Sequence, residues 1–190
     1  TALSSLVRAF TICLCLTSIC RAEAEATVSI ALYGDSFLRP VSDALDLVAL
    51  YHHRIPSGTL QDISPDSLDA LFLAYDVTDD EATVEWLERF TESGGKLFTF
   101  FLLPERLQKL HGIIQGEFTS AAYDGQFAQI SSLGTVPHLP SSLFQNSWNI
   151  HAVTTTSAST RAVASWRDSR GRDTDFPAAL VSPVGAHLTH

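Results

Sequence analysis

Two short polar pairs sit where an α/β protein would do its chemistry. Asp35-Ser36 follows one apolar run and Tyr75-Asp76 follows another. If both runs are strands of an open parallel sheet, the pairs lie at the carboxyl ends of strands, where such sheets bind ligands. There they either hydrogen-bond a polar ligand such as a sugar or cap the helices that follow. A third turn, Phe101-Leu102-Leu103-Pro104-Glu105-Arg106, stands where a nucleophile is usually carried, and it has neither Cys nor Ser. Pro104 would border the same crevice. Trp148, just after a loop, and Trp166 are the candidates for stacking on a sugar ring, with core packing as the alternative for both. The candidate ligand residues are therefore Asp35, Ser36, Asp76, Pro104 and Trp148, and no residue is assigned a catalytic role.

Other chemistries lack their signatures. Asp76, Asp79 and Asp80 have neither the glycine turn nor the closing Glu of a calcium loop, and read as acids at a helix start. The seven histidines are scattered. His52 and His53 are adjacent on what reads as a helix, and His187 and His190 point to opposite faces of a strand. Neither pair has zinc-site spacing, so no metal and no cofactor is expected. A serine hydrolase would need a Gly-x-Ser-x-Gly elbow, which is missing.

The elements that would position these groups follow from periodicity. Residues 27–33 form a first strand closed by Gly34-Asp35-Ser36. A helix follows, with Val41, Ala44, Leu45, Val48 and Tyr51 on one stripe, Ser36 as cap and Pro40 in the first turn. A short second strand is expected at 58–63. Ser64-Pro65-Asp66 opens a helical turn with Ser64 as its cap. Residues 69–75 are almost all apolar, as in a parallel strand buried on both faces. Thr78-Asp79-Asp80-Glu81 has the form of a capping box, Val84, Leu87 and Phe90 form the stripe behind it, and Gly94-Gly95 ends that helix. Residues 96–102 form the next strand. Two such crossovers in series imply a mostly parallel sheet with helices on both faces. Beyond Pro104 come a short helix, irregular β structure over 117–130, a loop at 136–140, and three strands in antiparallel order at 149–154, 160–167 and 176–181, followed by the turn 182–185 and residues 186–190.

Composition narrows the class. The chain has 190 residues, 45% of them hydrophobic and 17% charged, which suits one globular domain. A formal charge of -9 argues against nucleic acid and anionic membrane surfaces as partners. Arg8, the apolar run from Ala9 to Cys20, and Ala22-Glu23-Ala24 have the layout of a secretory signal, with Ala24-Glu25-Ala26 as a second cleavage choice. The run is too short to span a membrane. Residues 1–24 are thus expected to be a signal peptide and 25–190 an exported α/β domain, periplasmic or extracellular. Lipidation of Cys20 is an alternative, set against the bulky Ile19. All three cysteines, Cys13, Cys15 and Cys20, fall inside the signal, so the mature domain has no thiolate nucleophile and no disulfide.

The tail carries a resemblance. Gln145-Asn146-Ser147-Trp148-Asn149-Ile150, Trp166-Arg167-Asp168-Ser169-Arg170-Gly171 and Gly185-Ala186-His187-Leu188-Thr189-His190, with Gly94-Gly95 before a strand, resemble the class I glutamine-amidotransferase-like domain at the N-terminus of exported bacterial family 10 glycosylhydrolase-like proteins. The resemblance spans about 27–190. It implies a flavodoxin-like α/β fold with a C-terminal antiparallel meander, and it puts any sugar-cleaving chemistry in a catalytic barrel downstream of His190. That barrel is then the expected partner, and carbohydrate the ligand to test. The sequence departs from true amidotransferases in having no Cys on the turn after the 96–102 strand. The function implied is a non-catalytic accessory domain in carbohydrate processing. The alternative is a free-standing saccharide- or peptide-binding module that uses the crevice.

Overall fold

The computed structural model describes residues 28–34, 36–75 and 80–190. The segment read as a signal peptide, together with Asp35, Asp76, Thr78 and Asp79, lies outside them. Eleven strands and three α-helices run through the described residues: β1 (Ile30–Tyr33), α1 (Arg39–Leu47), β2 (His52–Ile55), β3 (Ala70–Leu73), α2 (Glu81–Glu92), β4 (Lys96–Phe100), α3 (Glu105–His111), β5 (Ile113–Ser120), β6 (Phe127–Ser132), β7 (Ser142–Ser147), β8 (Asn149–Thr155), β9 (Arg161–Arg167), β10 (Asp173–Ser182) and β11 (Gly185–Leu188). Nine strands form one sheet in the order β2-β1-β3-β4-β11-β10-β9-β6-β7, and β5 pairs with β8 in a separate ribbon.

The sheet has two halves. β2, β1, β3, β4 and β11 run parallel, and from β11 to β7 every neighbour is antiparallel. β1 and β3 are buried at every position, as their unbroken apolar runs require. The two-residue alternation sorts their side chains. Ile30, Leu32, Phe72 and Phe98 face a core shared with Leu38, Val41 and Leu45 of the α1 region and with Phe127 and Trp166 of the antiparallel half. Ala31, Tyr33, Leu71 and Leu97 face a second core made with α2, α3, Ile113 and Val153. Helices therefore cover both faces, as expected of a doubly wound sheet.

Several expected elements shift. His52 and His53 lie on β2, not on a helix: α1 stops at Leu47, and Ala49 turns the chain at φ 58°. β2 is an edge strand that buries only Ile55, so its sequence has no apolar run to announce it. Residues 58–63 form no strand. They turn through a 3₁₀ segment, Leu60–Asp62, and Ile63 gives its carbonyl to the buried Trp86 Nε1 at 2.7 Å. The α1 cap is Leu38 with no side-chain hydrogen bond, rather than Ser36, while Pro40 does fall in the first turn. Ser64 precedes the 3₁₀ turn Pro65–Ser67 without a side-chain cap bond. The α2 cap is Asp80, whose carboxylate accepts the Thr83 amide at 2.9 Å, a bond of the kind that contributes about 1 kcal/mol. The strand expected at 149–154 is β8, which leaves the meander and pairs with β5.

The Trp-Arg-Asp-x-x-Gly segment makes the β9–β10 turn. Asp168 is buried and accepts the Arg170 and Arg172 amides, each at 2.9 Å, the Arg172 Nε at 2.7 Å and the Tyr123 hydroxyl at 3.2 Å. Burial pushes this carboxyl up, but the hydrogen bonds from Arg172 and Arg170 outweigh it and hold the group at about 2.

Candidate functional site

A cavity of about 600 Å³ opens at the carboxyl ends of the parallel strands. Its position follows from topology. The chain goes from β1 outward to β2, then returns to place β3 on the other side of β1, and the crevice lies at that reversal. Ser36, Phe37 and Leu38 line it after β1, Ala74 and Tyr75 after β3, and Phe100 and Phe101 at the end of β4. The far wall is the β7–β8 corner, through Gln145, Trp148 and Asn149, and His190 closes the side beyond β11.

Of the sequence candidates, Ser36 and Trp148 line this cavity. Pro104 is not in its lining and instead stands at the start of α3. Asp35 and Asp76 flank residues that line it, and lie outside the described residues. The two tryptophans separate: Trp148 is 68% exposed, whereas Trp166 is fully buried and donates its indole N–H to Thr189 Oγ1 at 2.9 Å. Trp166 therefore packs in the core.

The turn after β4 has the backbone of a nucleophile elbow and the wrong side chain. Phe101 follows the strand directly with φ 56°. A bulky residue at positive φ is unusual and costs roughly 1–2 kcal/mol. Phe37, across the cavity, is held at φ 61°. Strain of this kind collects at ligand sites, where the surrounding structure enforces it. The rings form a connected row: Phe37 on Tyr75 at 4.8 Å between centroids, Tyr75 on Phe101 at 6.5 Å, Phe101 on Phe118 at 6.5 Å and Phe118 on Trp148 at 5.7 Å. His151 packs edge-on against Phe101 at 4.6 Å.

Behind the turn runs a buried polar chain that the sequence did not reveal. Gln115 Nε2 donates to the Phe101 carbonyl at 2.6 Å and to His187 Nε2 at 3.2 Å. Since that ring nitrogen accepts, His187 Nδ1 carries the proton and donates to Thr99 Oγ1 at 3.0 Å. The Thr99 hydroxyl then donates to His111 Nε2 at 3.2 Å, and His111 Nδ1 donates to Ser182 Oγ at 3.2 Å. The Gln115 amide fixes His187 as a neutral ring, and in this arrangement His111 is neutral as well. Burial pushes His111 down to about 4. Burial, with His111 and His151 nearby, holds His187 well below its ordinary value.

A second polar pair lies elsewhere. The Ser42 hydroxyl meets His52 Nε2 at 2.7 Å, while His52 Nδ1 faces the Leu50 carbonyl at 3.1 Å. Ser42 sits inside α1 and is not in the cavity lining, so the pair fixes β2 against the helix. Among the described residues, no group of three or more His, Cys, Asp or Glu side chains is placed to hold a metal, and no helix is long and apolar enough to cross a membrane.

No protein-family profile and no curated protein matches the sequence. Solved structures match the fold. A ThuA-like protein from Bacteroides uniformis superposes with a TM-score of 0.59 at 11% identity, over 90% of this chain and 84% of that one. A glutamine amidotransferase from Thermotoga maritima gives 0.58 at 10% identity, over 87% and 76%. An α-L-fucosidase, isoenzyme 2 of Paenibacillus thiaminolyticus, gives 0.59 at 11% identity, over 85% of this chain and 29% of the fucosidase. The chain thus spans less than a third of that glycosidase. Together with the strand order, these matches define the class: an α/β domain with the class I glutamine-amidotransferase-like fold.

Proposed function

We propose that this chain is a non-catalytic accessory domain of a secreted glycoside-hydrolase-like protein acting in carbohydrate processing. On this reading it is exported by its N-terminal segment and works beside a catalytic barrel of the same polypeptide. The observation that carries the proposal is Phe101, a phenylalanine held at φ 56° on the turn where this architecture seats a nucleophile. A side chain with no lone pair or acidic proton cannot attack a carbonyl or an anomeric carbon. The likeness to part of an α-L-fucosidase supports the carbohydrate context.

The test is activity of the purified chain. The expected outcome is no release of ammonia from glutamine and no cleavage of aryl glycosides, with glycosidase activity of the parent polypeptide altered when this domain is deleted. Turnover of either substrate by the domain alone would sink the reading. The second reading, a free-standing saccharide- or peptide-binding module, is favoured by the cavity itself, whose volume lies within the usual range of small-ligand pockets, roughly 300–1,000 Å³.

A further inference from the structure

The β7–β8 corner breaks the rule that inward positions are apolar. From Gln145 to Asn149 burial alternates: Gln145, Ser147 and Asn149 are buried, while Asn146 and Trp148 are exposed. Asn146 sits at φ 49° where the β6–β7 register shifts, a conformation asparagine tolerates. Ser147 is fully used. It donates to the Asn149 carbonyl at 2.6 Å and accepts the Asn149 amide at 3.2 Å and His190 Nδ1 at 3.0 Å. Gln145 and Asn149 are different. Each is only 6% exposed and lines the cavity, and neither carboxamide has a hydrogen-bond partner among the described residues. His190 donates through Nδ1, to Ser147 and toward the Asn149 carbonyl, which leaves Nε2 as an acceptor with no partner among the described residues, on a third lining residue.

The cavity is thus where these carboxamides make their hydrogen bonds, to water or to an occupant that replaces it. We propose that this cavity is a binding site for a neutral sugar, with the Trp148 indole as stacking platform and the carboxamides of Gln145 and Asn149 as readers of the ring hydroxyls. Each carboxamide offers both a donor and an acceptor, as each hydroxyl does, so the two match without charge. No described lining residue is Lys, Arg, Asp or Glu, so the described walls are suited to an uncharged ligand. Trp148 presents its ring to solvent and touches Phe118 edge-on, which leaves indole surface for the apolar side of a pyranose. A peptide fits less well. Strand addition needs an exposed sheet edge, and this cavity sits at strand ends. The assignment rests on the reading of the crevice as a non-catalytic ligand site in carbohydrate processing.

The test is calorimetry of the full chain with glucose, galactose, mannose, xylose and their β-linked disaccharides, with product analysis of each mixture. At least one sugar is expected to bind without being cleaved. Trp148→Ala and Gln145→Leu are each expected to weaken it about tenfold or more, the loss of one good stacking or hydrogen-bonding contact. Trp148 is exposed, so its removal should leave the fold intact. Gln145→Leu should hold or raise Tm while affinity falls, an opposition that a merely structural residue would not give. Silence across the panel, or binding that neither substitution changes, overturns the sugar site and leaves the non-catalytic reading standing. Cleavage of a bound sugar overturns the non-catalytic reading instead.

Discussion

Gln115 and Phe101 are joined by a hydrogen bond of 2.6 Å, from the Gln115 carboxamide N–H to the Phe101 carbonyl. The same side chain accepts the Leu103 amide at 2.7 Å, so one residue of β5 clamps both sides of the left-handed turn after β4. Gln108 reinforces it by donating to the Leu103 carbonyl and accepting the Gln115 amide, both at 2.8 Å. The floor of the cavity is thus held from the opposite face of the sheet. Replacing Gln115 with Leu strands the Phe101 carbonyl and the Leu103 amide. The expected loss is about 1–3 kcal/mol in denaturant unfolding. An unchanged midpoint would show that the clamp is not what fixes the turn.

The backbone of Phe101 makes its own prediction. Alanine and glycine both remove the ring, but only glycine is free of strain at φ 56°. Phe101→Gly should therefore be more stable than Phe101→Ala, by roughly 1 kcal/mol. The reverse order in thermal or urea unfolding would contradict a left-handed residue at this position.

The histidine chain predicts a pH dependence. His111 is neutral in the fold down to about pH 4, whereas in the unfolded chain it takes a proton near its ordinary value of 6.5. Between those values the unfolded state binds more protons, so stability rises with pH. It should be complete above about 6.5 and fall as pH drops toward 4, by about 1.4 kcal/mol per unit for this one group. His187 shifts in the same direction and steepens the loss. Urea titrations at stepped pH should show the slope, and His111→Gln should flatten it. A flat profile in the parent chain would remove the neutral-ring assignment.

Gly185 opens β11 at φ 148°, and a Cβ there would overlap the Leu97 carbonyl of the paired strand β4. That neighbour is backbone in the sheet centre and cannot step aside. Gly185→Ala should cost about 2–4 kcal/mol or prevent folding. Gly171→Ala serves as the comparison: it shares a positive φ but meets nothing within 4 Å, so it should cost less.

Burial on both faces is what made the parallel strands readable. β1, β3 and β4 appear as apolar runs because helices cover them front and back. β2 was hidden because an edge strand buries one side chain in four and carries two histidines. β7 was hidden because its buried residues, Gln145 and Ser147, are polar, so the segment carries no apolar alternation to mark a strand. The location of the crevice was legible from strand order, and Ser36 with it, whereas Trp148 stood out only as an aromatic after a loop. Gln145 and Asn149 stood inside the Gln-x-Ser-Trp-Asn segment that carried the resemblance, but only the fold shows that both line the cavity. The Thr99, His111 and His187 chain draws on β4, α3 and β11, and no local pattern could have joined them.

The three tryptophans divide unequally between interior and surface. Trp86 and Trp166 are buried, and Trp148 stands at the cavity mouth. The protein therefore carries an optical probe at its candidate site. A collisional quencher such as iodide should reach one indole of three in the folded chain, and an occupant of the cavity should shield that one alone. Occupancy can then be followed on unlabelled protein, without knowing in advance what the occupant is.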